Sequence, residues 1–340
     1  MEPLIIITLV FTIAFAFGIG SNDETMATTV GTGGLRLKYA VILAAILATV
    51  GALFLSAGVA KSIGTGLLNS DSIDLIKYQG WIMLSVLIAV SAWLILASKI
   101  GAPVSGTHSV VGAIFGVGFC SPLLGSDFLS AIKWSGLTKV VLGWILSPIL
   151  GLGCSLVISL LVKYLVRRRI KGLDGMENVE RIMLIALVCL VSLNQVNRAG
   201  NDAGNALGVF YALFDTGEIN SPMLNTMLFI GSASIGLGLF IVGRSLLKSV
   251  GKNIIEIRPS DAICIESSVL IVLILSNTFG FPISGSHVLI FAIIGLALIK
   301  GEKVDKKSLK KIALSWGITF PVAAVFCAGI LSLLLVLTGL

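Results

Sequence analysis

The sequence predicts an all-α polytopic membrane protein, an inverted repeat of two five-segment halves with discontinuous helices or hairpins at the midplane. Three observations predict it. Of 340 residues, 56% are hydrophobic and only 12% charged, and the mean hydropathy of +1.04 lies beyond what a water-facing surface tolerates. The apolar residues gather into ten stretches. One internal offset, 179 residues, lays the first half over the second.

The first stretch, residues 3–20, has no basic n-region (MEPLIIIT) and no small-residue cleavage site, so it reads as a retained helix rather than a signal peptide. Residues 38–60, 81–100 and 137–162 follow in the first half, and 182–197, 224–243, 262–279 and 309–338 in the second. Each is long enough, or nearly so, to cross a hydrocarbon core of about 30 Å. Residues 104–119 and 283–299 are shorter and Gly-rich and are predicted to be irregular. The expected division is a first transmembrane repeat over 1–166, a basic cytoplasmic linker over 167–180 and a second, inverted repeat over 181–340. No stretch between the segments is long enough to bury a soluble core, which argues against an appended domain.

The formal charge of +7 invites a nucleic-acid reading, but the basic residues sit in short loops between apolar stretches. If RRRIKGLDGMENVER (167–181) is cytoplasmic and every segment crosses, 19 of the 24 Lys and Arg residues fall inside; Lys61, Lys77, Lys133, Lys139 and Arg198 fall outside. The positive-inside rule then sets both termini outside, with the chain expected in the cell (inner) membrane. The basic balance is topology, with lipid as the partner and no nucleic acid. Cys120, Cys154, Cys189, Cys264 and Cys327 show no paired spacing and read as reduced packing residues.

Two motifs recur at the 179-residue offset. Asn22-Asp23 falls on Asn201-Asp202, and Pro103-Val104-Ser105-Gly106-Thr107-His108 falls on Pro282-Ile283-Ser284-Gly285-Ser286-His287. The chain's two histidines both occupy this matched position. An odd number of segments per half places the copies in opposite orientation, with matched residues near a pseudo-twofold axis at the midplane.

Ionisable groups inside a bilayer cost several kcal/mol and mark function. Asp23, Glu24, Asp202 and Glu266 are the candidates. Both Asn-Asp pairs lie in Gly-rich runs, where an unwound helix would free backbone carbonyls. Carboxylates, Asn amide oxygens and carbonyls form a hard oxygen shell suited to sodium; the structural alternative is a pair of polar helix caps. Glu266, whose offset counterpart is Leu87, is a further cation ligand or a proton site.

The second motif breaks one helix at Pro and starts another at Ser. A helix starting inside the membrane offers unpaired N–H groups and a positive dipole end to an oxyanion. Ser105, Gly106 and Thr107, with Ser284, Gly285 and Ser286, are the expected anion shell. Its hydroxyls hold tetrahedral oxygens without a fixed charge; the structural alternative is a hinge with satisfied caps. Glu24, Thr25, His108, His287 and Arg198 are accessory candidates. Neither His has a second His or Cys nearby in sequence to complete a metal site, and Arg198 reads as an anion attractor at the outer mouth or as a snorkelling interface residue.

GNDAGNALG resembles the GANDVANA-type signature of the PiT family of inorganic phosphate transporters, and PVSGTHSVVGA and PISGSH are similar to that family's paired P-[IV]-S-x-T-H segments. The resemblance covers essentially the whole chain. It implies a sodium/phosphate symporter, proton-coupled in some members, that dimerises; no cofactor is implied beyond the coupling ion. It also implies sodium ligands at Asn22, Asp23, Asn201 and Asp202 and an anion shell at Ser105, Thr107, Ser284 and Ser286. Two departures stand out: GSNDETMA carries Glu24 and Thr25 where small residues are usual, and ILATVGA around Ala48 lacks a glutamate often present there.

The leading function is secondary import of inorganic phosphate with sodium. A sulfate or proton-coupled oxyanion permease of the same fold stays open, as does a cation transporter or channel, which leaves the hydroxyl-rich helix starts unexplained. An intramembrane hydrolase using Asp23 and Asp202 as a dyad lacks any matched feature to bind a peptide, so no enzyme is expected. No GxxxxGK[ST] loop occurs, so a gradient must drive transport.

Overall fold

The computed structural model describes residues 3–64, 66–69, 75–99, 105–169, 172–245, 247, 258–302 and 306–339. Pro103 and Val104 of the first hexapeptide lie outside them, as do Lys171, Lys248, Lys252 and Lys303 of the predicted basic loops. Among the described residues the regular structure is helical, with one isolated bridge between Leu68 and Ile132.

The first half contains α1 (Pro3–Ser21), the short α2 (Ala27–Gly31), α3 (Leu37–Leu55), α4 (Ala57–Gly64), α5 (Leu75–Lys99), α6 (Gly106–Phe119), a one-turn α7 (Phe128–Ala131) and α8 (Trp134–Arg169). The second contains α9 (Gly172–Asp215), α10 (Ser221–Gly238, prolonged by a π turn over Leu239–Gly243), α11 (Pro259–Phe279), α12 (Gly285–Lys300) and α13 (Lys306–Thr338). Among the described residues six helices are long and apolar enough to cross a membrane, and four shorter apolar helices lie at Ile5–Ser21, Gly80–Leu94, Gly106–Phe119 and Gly285–Lys300. Together these ten fall on the ten apolar stretches of the sequence.

Helix reaches further than the hydropathy suggests. α8 and α9 fill most of the stretch expected as a loop between the halves. With 44 residues, α9 is about 66 Å long at 1.5 Å per residue, well over a bilayer's width. Its amino-terminal turns are tied down by Glu180, which accepts hydrogen bonds from the backbone N–H (3.0 Å) and hydroxyl (2.7 Å) of Ser260.

The packing follows the 179-residue offset, under which α1, α3, α5, α6 and α8 match α9, α10, α11, α12 and α13. α3 packs on α9 and, in the matched way, α10 on α1; α6 lies on α13 and α12 on α8; α5 lies on α13 and α11 on α8. Each half thus completes its core with helices of the other. α5 and α6 also pack on one another, as do α11 and α12, so each pair forms a helical hairpin. At 14 residues, α6 is about 21 Å long and does not span a hydrocarbon core alone. The stretches 104–119 and 283–299, expected to be irregular, carry the regular helices α6 and α12, which pack beside α5 and α11.

Helices surrounded by lipid gain little from apolar burial against one another and rely on close backbone approach through small residues. A Cβ on Gly51 of α3 would stand 2.0 Å from the Val196 carbonyl oxygen of α9, and one on Gly20 of α1 would stand 1.8 Å from that of Ile235 on α10. Both contacts belong to the matched α3–α9 and α1–α10 interfaces. Gly51→Ala must therefore push α3 off α9. It is expected to destabilise by about 2 kcal/mol or more and lower Tm in detergent, whereas Gly317→Ala, with no atom within 4 Å of the new Cβ, leaves Tm unchanged.

Candidate functional site

α1 ends at Ser21, and residues 22–26 form turns before α2. Asp23 causes the break locally. Its Oδ1 accepts the backbone N–H of Thr25 (2.9 Å) and the Thr25 hydroxyl (2.6 Å), an Asx-type turn that competes with the helix ladder. Its Oδ2 accepts from the side-chain amide of Gln195 on α9. Asp23 is buried, but its neighbour Asn22 is exposed and donates back to the Gly18 carbonyl (3.2 Å). The structure leaves Asn22 outside the cluster because the turn that brings Asp23 inward directs the adjacent residue outward.

The second Asn-Asp pair is different. Asn201 and Asp202 lie within unbroken α9, so the expected unwinding does not occur there. At the offset, Thr25 and Glu24 correspond to Gly204 and Ala203, which supply no hydroxyl for a competing turn. Asn201 instead uses its amide to donate to the Ser276 hydroxyl (2.7 Å), Asn277 Oδ1 (3.3 Å) and the Phe281 carbonyl (3.2 Å), binding α9 to the α11–α12 turn.

Arg198, one turn before Asp202, is buried. Its guanidinium donates to Glu24 Oε1 at 2.7 Å and lies 3.6 Å from Asp202 Oδ2. It therefore occupies the interior of the molecule rather than an outer mouth or a lipid interface. Glu266 on α11 is also buried; it accepts from Thr28 (3.0 Å) and from the side chain of Asn194 (2.6 Å). Glu24, Thr25, Thr28, Asn194, Arg198 and Glu266 line one cavity, with Val269 and Leu289 closing its apolar side.

The starts of α6 and α12 meet beside this cluster. The Thr107 hydroxyl donates to the Ile283 carbonyl (3.1 Å), and the His108 and His287 rings are 5.1 Å apart. Ser105 caps α6, accepting the backbone N–H of His108 at 3.4 Å, while its hydroxyl lies 2.9 Å from His108 Nδ1. Ser284 makes no side-chain cap and its hydroxyl pairs with that of Ser286 (2.9 Å). Both histidines are backed by indoles, His108 on Trp144 at 3.9 Å and His287 on Trp316 at 3.6 Å. The geometry places them as packed walls of the helix starts. Gly106 and Gly285 begin the helices; a Cβ on Gly285 would come within 3.2 Å of Arg198 Nε, and one on Gly106 within 4.0 Å of Asn205 Nδ2.

α9 connects the carboxylates to the helix starts. Asn194, Gln195, Arg198, Asn201, Asp202 and Asn205 recur at helical spacing along about 17 Å of its length. Asn205 donates to Thr107 (3.3 Å). The side-chain oxygens of Asn194, Gln195, Asn201 and Asn205 are buried without a donor, a state that costs about 1–3 kcal/mol each and suits oxygen ligands for a hard cation. Sequence reading from the Asn-Asp pairs alone misses Thr28, Asn194, Gln195 and Asn205. Their signal is the run of amides at three- and four-residue intervals in a helix otherwise apolar enough to span a membrane.

The site thus offers four carboxylates, amide oxygens and two helix starts whose first N–H groups have no intrahelical partner. Such a set can hold an anion and small cations side by side. Comparison with known proteins agrees with that chemistry. The chain resembles a protein of Pyrococcus furiosus described as a phosphate permease, 28% identical over 99% of this chain and 98% of that one. It also resembles the Arabidopsis thaliana chloroplastic inorganic phosphate transporter 2-1, 25% identical over 93% of this chain and 70% of that one. A solved structure described as the sodium-dependent phosphate transporter superposes with a TM-score of 0.84 at 26% identity, covering 97% of this chain and 98% of that one. The sequence profile of the phosphate transporter family matches residues 17–327, and the chain belongs to that family.

Proposed function

We propose that this chain imports inorganic phosphate together with sodium. The observation that carries the reading is the meeting of the α6 and α12 starts, joined by the Thr107–Ile283 hydrogen bond, beside buried carboxylates and unpaired amide oxygens. Phosphate is held by Ser105, Gly106, Thr107, Ser284, Gly285 and Ser286 through N–H groups, hydroxyls and the two positive dipole ends. Sodium is coordinated by Asp23, Asp202, Glu266 and the amide oxygens of α9, with Asn201 among them. The sign of each partner follows the groups offered to it, and each ion offsets the field that the other must enter.

The domain reading is two repeats, 1–166 and 181–340, inverted across the membrane about an axis through the meeting hairpins. The hairpins α5–α6 and α11–α12 each enter and leave on one side, so three crossing helices remain per half. Three is odd, as five is, and the inversion is kept. Lys300 to Lys311 stay cytoplasmic and both termini stay outside, in the inner membrane. The homodimer belongs to this reading through the family resemblance.

Reconstituted protein is expected to accumulate labelled phosphate, and not sulfate, under an inward sodium gradient. Asp23→Asn is expected to abolish the sodium dependence. Uptake indifferent to sodium in both proteins overturns the coupling, and accumulation of neither oxyanion overturns the function. The two serines give a finer check. Ser284→Ala removes a hydroxyl with no capping duty, so the phosphate KM should rise about tenfold or more, the scale of one hydrogen bond to a charged group, with Tm unchanged. Ser105→Ala should raise KM similarly and also lose about 1 kcal/mol of stability as the α6 cap is removed.

A further inference from the structure

Arg198 is at odds with the repeat that built the site. Its offset partner is Ile19, and that of Glu24, its ion-pair partner, is Ala203. The pair therefore exists on one side of the pseudo-twofold only, one member contributed by each half. A buried ion pair is often no more stable than apolar residues of the same shape, so packing alone gives no reason to keep it. The guanidinium sits between two carboxylates, 2.7 Å from Glu24 and 3.6 Å from Asp202, with its side chain only 11% exposed. It also faces the start of α12, where a Cβ added to Gly285 would stand 3.2 Å from its Nε. That is the position in which a cation shared by Glu24 and Asp202 and facing a bound anion would lie.

We propose that Arg198 is a tethered cation that takes the place of one coupling ion, so that this chain moves one sodium fewer per phosphate than its carboxylates would otherwise demand. The proposal rests on the sodium-coupled reading above. A guanidinium does not lose its proton at any working pH, and this one is covalently fixed, so it neutralises a carboxylate in every step of the cycle without entering or leaving. Asp23, Asp202 and Glu266, together with the unpaired amide oxygens of Asn194 and Gln195, are left to the mobile cations.

Charge balance supplies the test, read as the ratio of labelled sodium to labelled phosphate taken up by proteoliposomes. Arg198→Gln leaves Glu24 and Asp202 both uncompensated, and the ratio should rise by one sodium per phosphate. Glu24→Gln frees the guanidinium to neutralise Asp202, and the ratio should fall by one. The double variant restores the native net charge and should return the native ratio, as should Arg198→Lys. A merely structural ion pair would alter Tm and the amount of active protein while leaving every ratio at the native value, and that result overturns the proposal. Loss of phosphate binding in folded Arg198→Gln at saturating sodium also overturns it, making Arg198 an anion ligand instead. If Arg198→Gln does not fold, Glu24→Gln decides alone: an unchanged ratio refutes the tethered cation. A native protein that takes up phosphate without sodium refutes the coupling reading itself, which the native arm shows before any variant is compared.

Discussion

Everything in this structure depends on satisfying polar groups in an interior that lipid surrounds. Water is absent from a bilayer core, so each buried donor or acceptor needs a protein partner or an ion. α9 is the element on which those demands converge. Its amide, carboxylate and guanidinium side chains reach α1 through Asp23, α11 through Glu266, the α11–α12 turn through Phe281 and α6 through Thr107. Removing this face would leave the start of α6, the α11–α12 turn and the broken end of α1 without these partners.

The same demand explains where the duplication is kept and where it is abandoned. Interfaces made by backbone approach are matched between the halves, since close packing tolerates only small residues at the contact. Among the charged residues of the site only Asp23 and Asp202 are matched, and these two differ in conformation. Asp23 sits in an unwound turn because Thr25 rewards that turn, while Asp202 stays helical because Gly204 cannot. Glu24, Arg198 and Glu266 each lack a charged counterpart at the offset. Two helix starts related by the duplication thus have an asymmetric arrangement of charges beside them.

The division of labour has a physical logic. Helix starts and hydroxyls can hold an oxyanion with partial charges alone, which would permit release. Full charges are kept one layer away, where they are paired with one another or wait for a mobile cation. The indole-backed histidines wall the helix starts, keeping them apart from the apolar helices α8 and α13 behind.

By itself the sequence determined the ten apolar segments, the 179-residue duplication and the two Ser-led helix starts, because hydropathy, internal similarity and capping chemistry are local properties. It also marked Asp23, Asp202 and Glu266, since a carboxylate in an apolar run is visible without coordinates. Only the tertiary structure decided that Asn22 faces away, that α9 runs unbroken through the second Asn-Asp pair, and that Arg198 lies buried between Glu24 and Asp202 instead of at a surface. These outcomes turn on competition between a local turn and a helix ladder, and on partners more than 170 residues away in the chain. Such partners become neighbours only when the two halves pack together, and no window of sequence contains both.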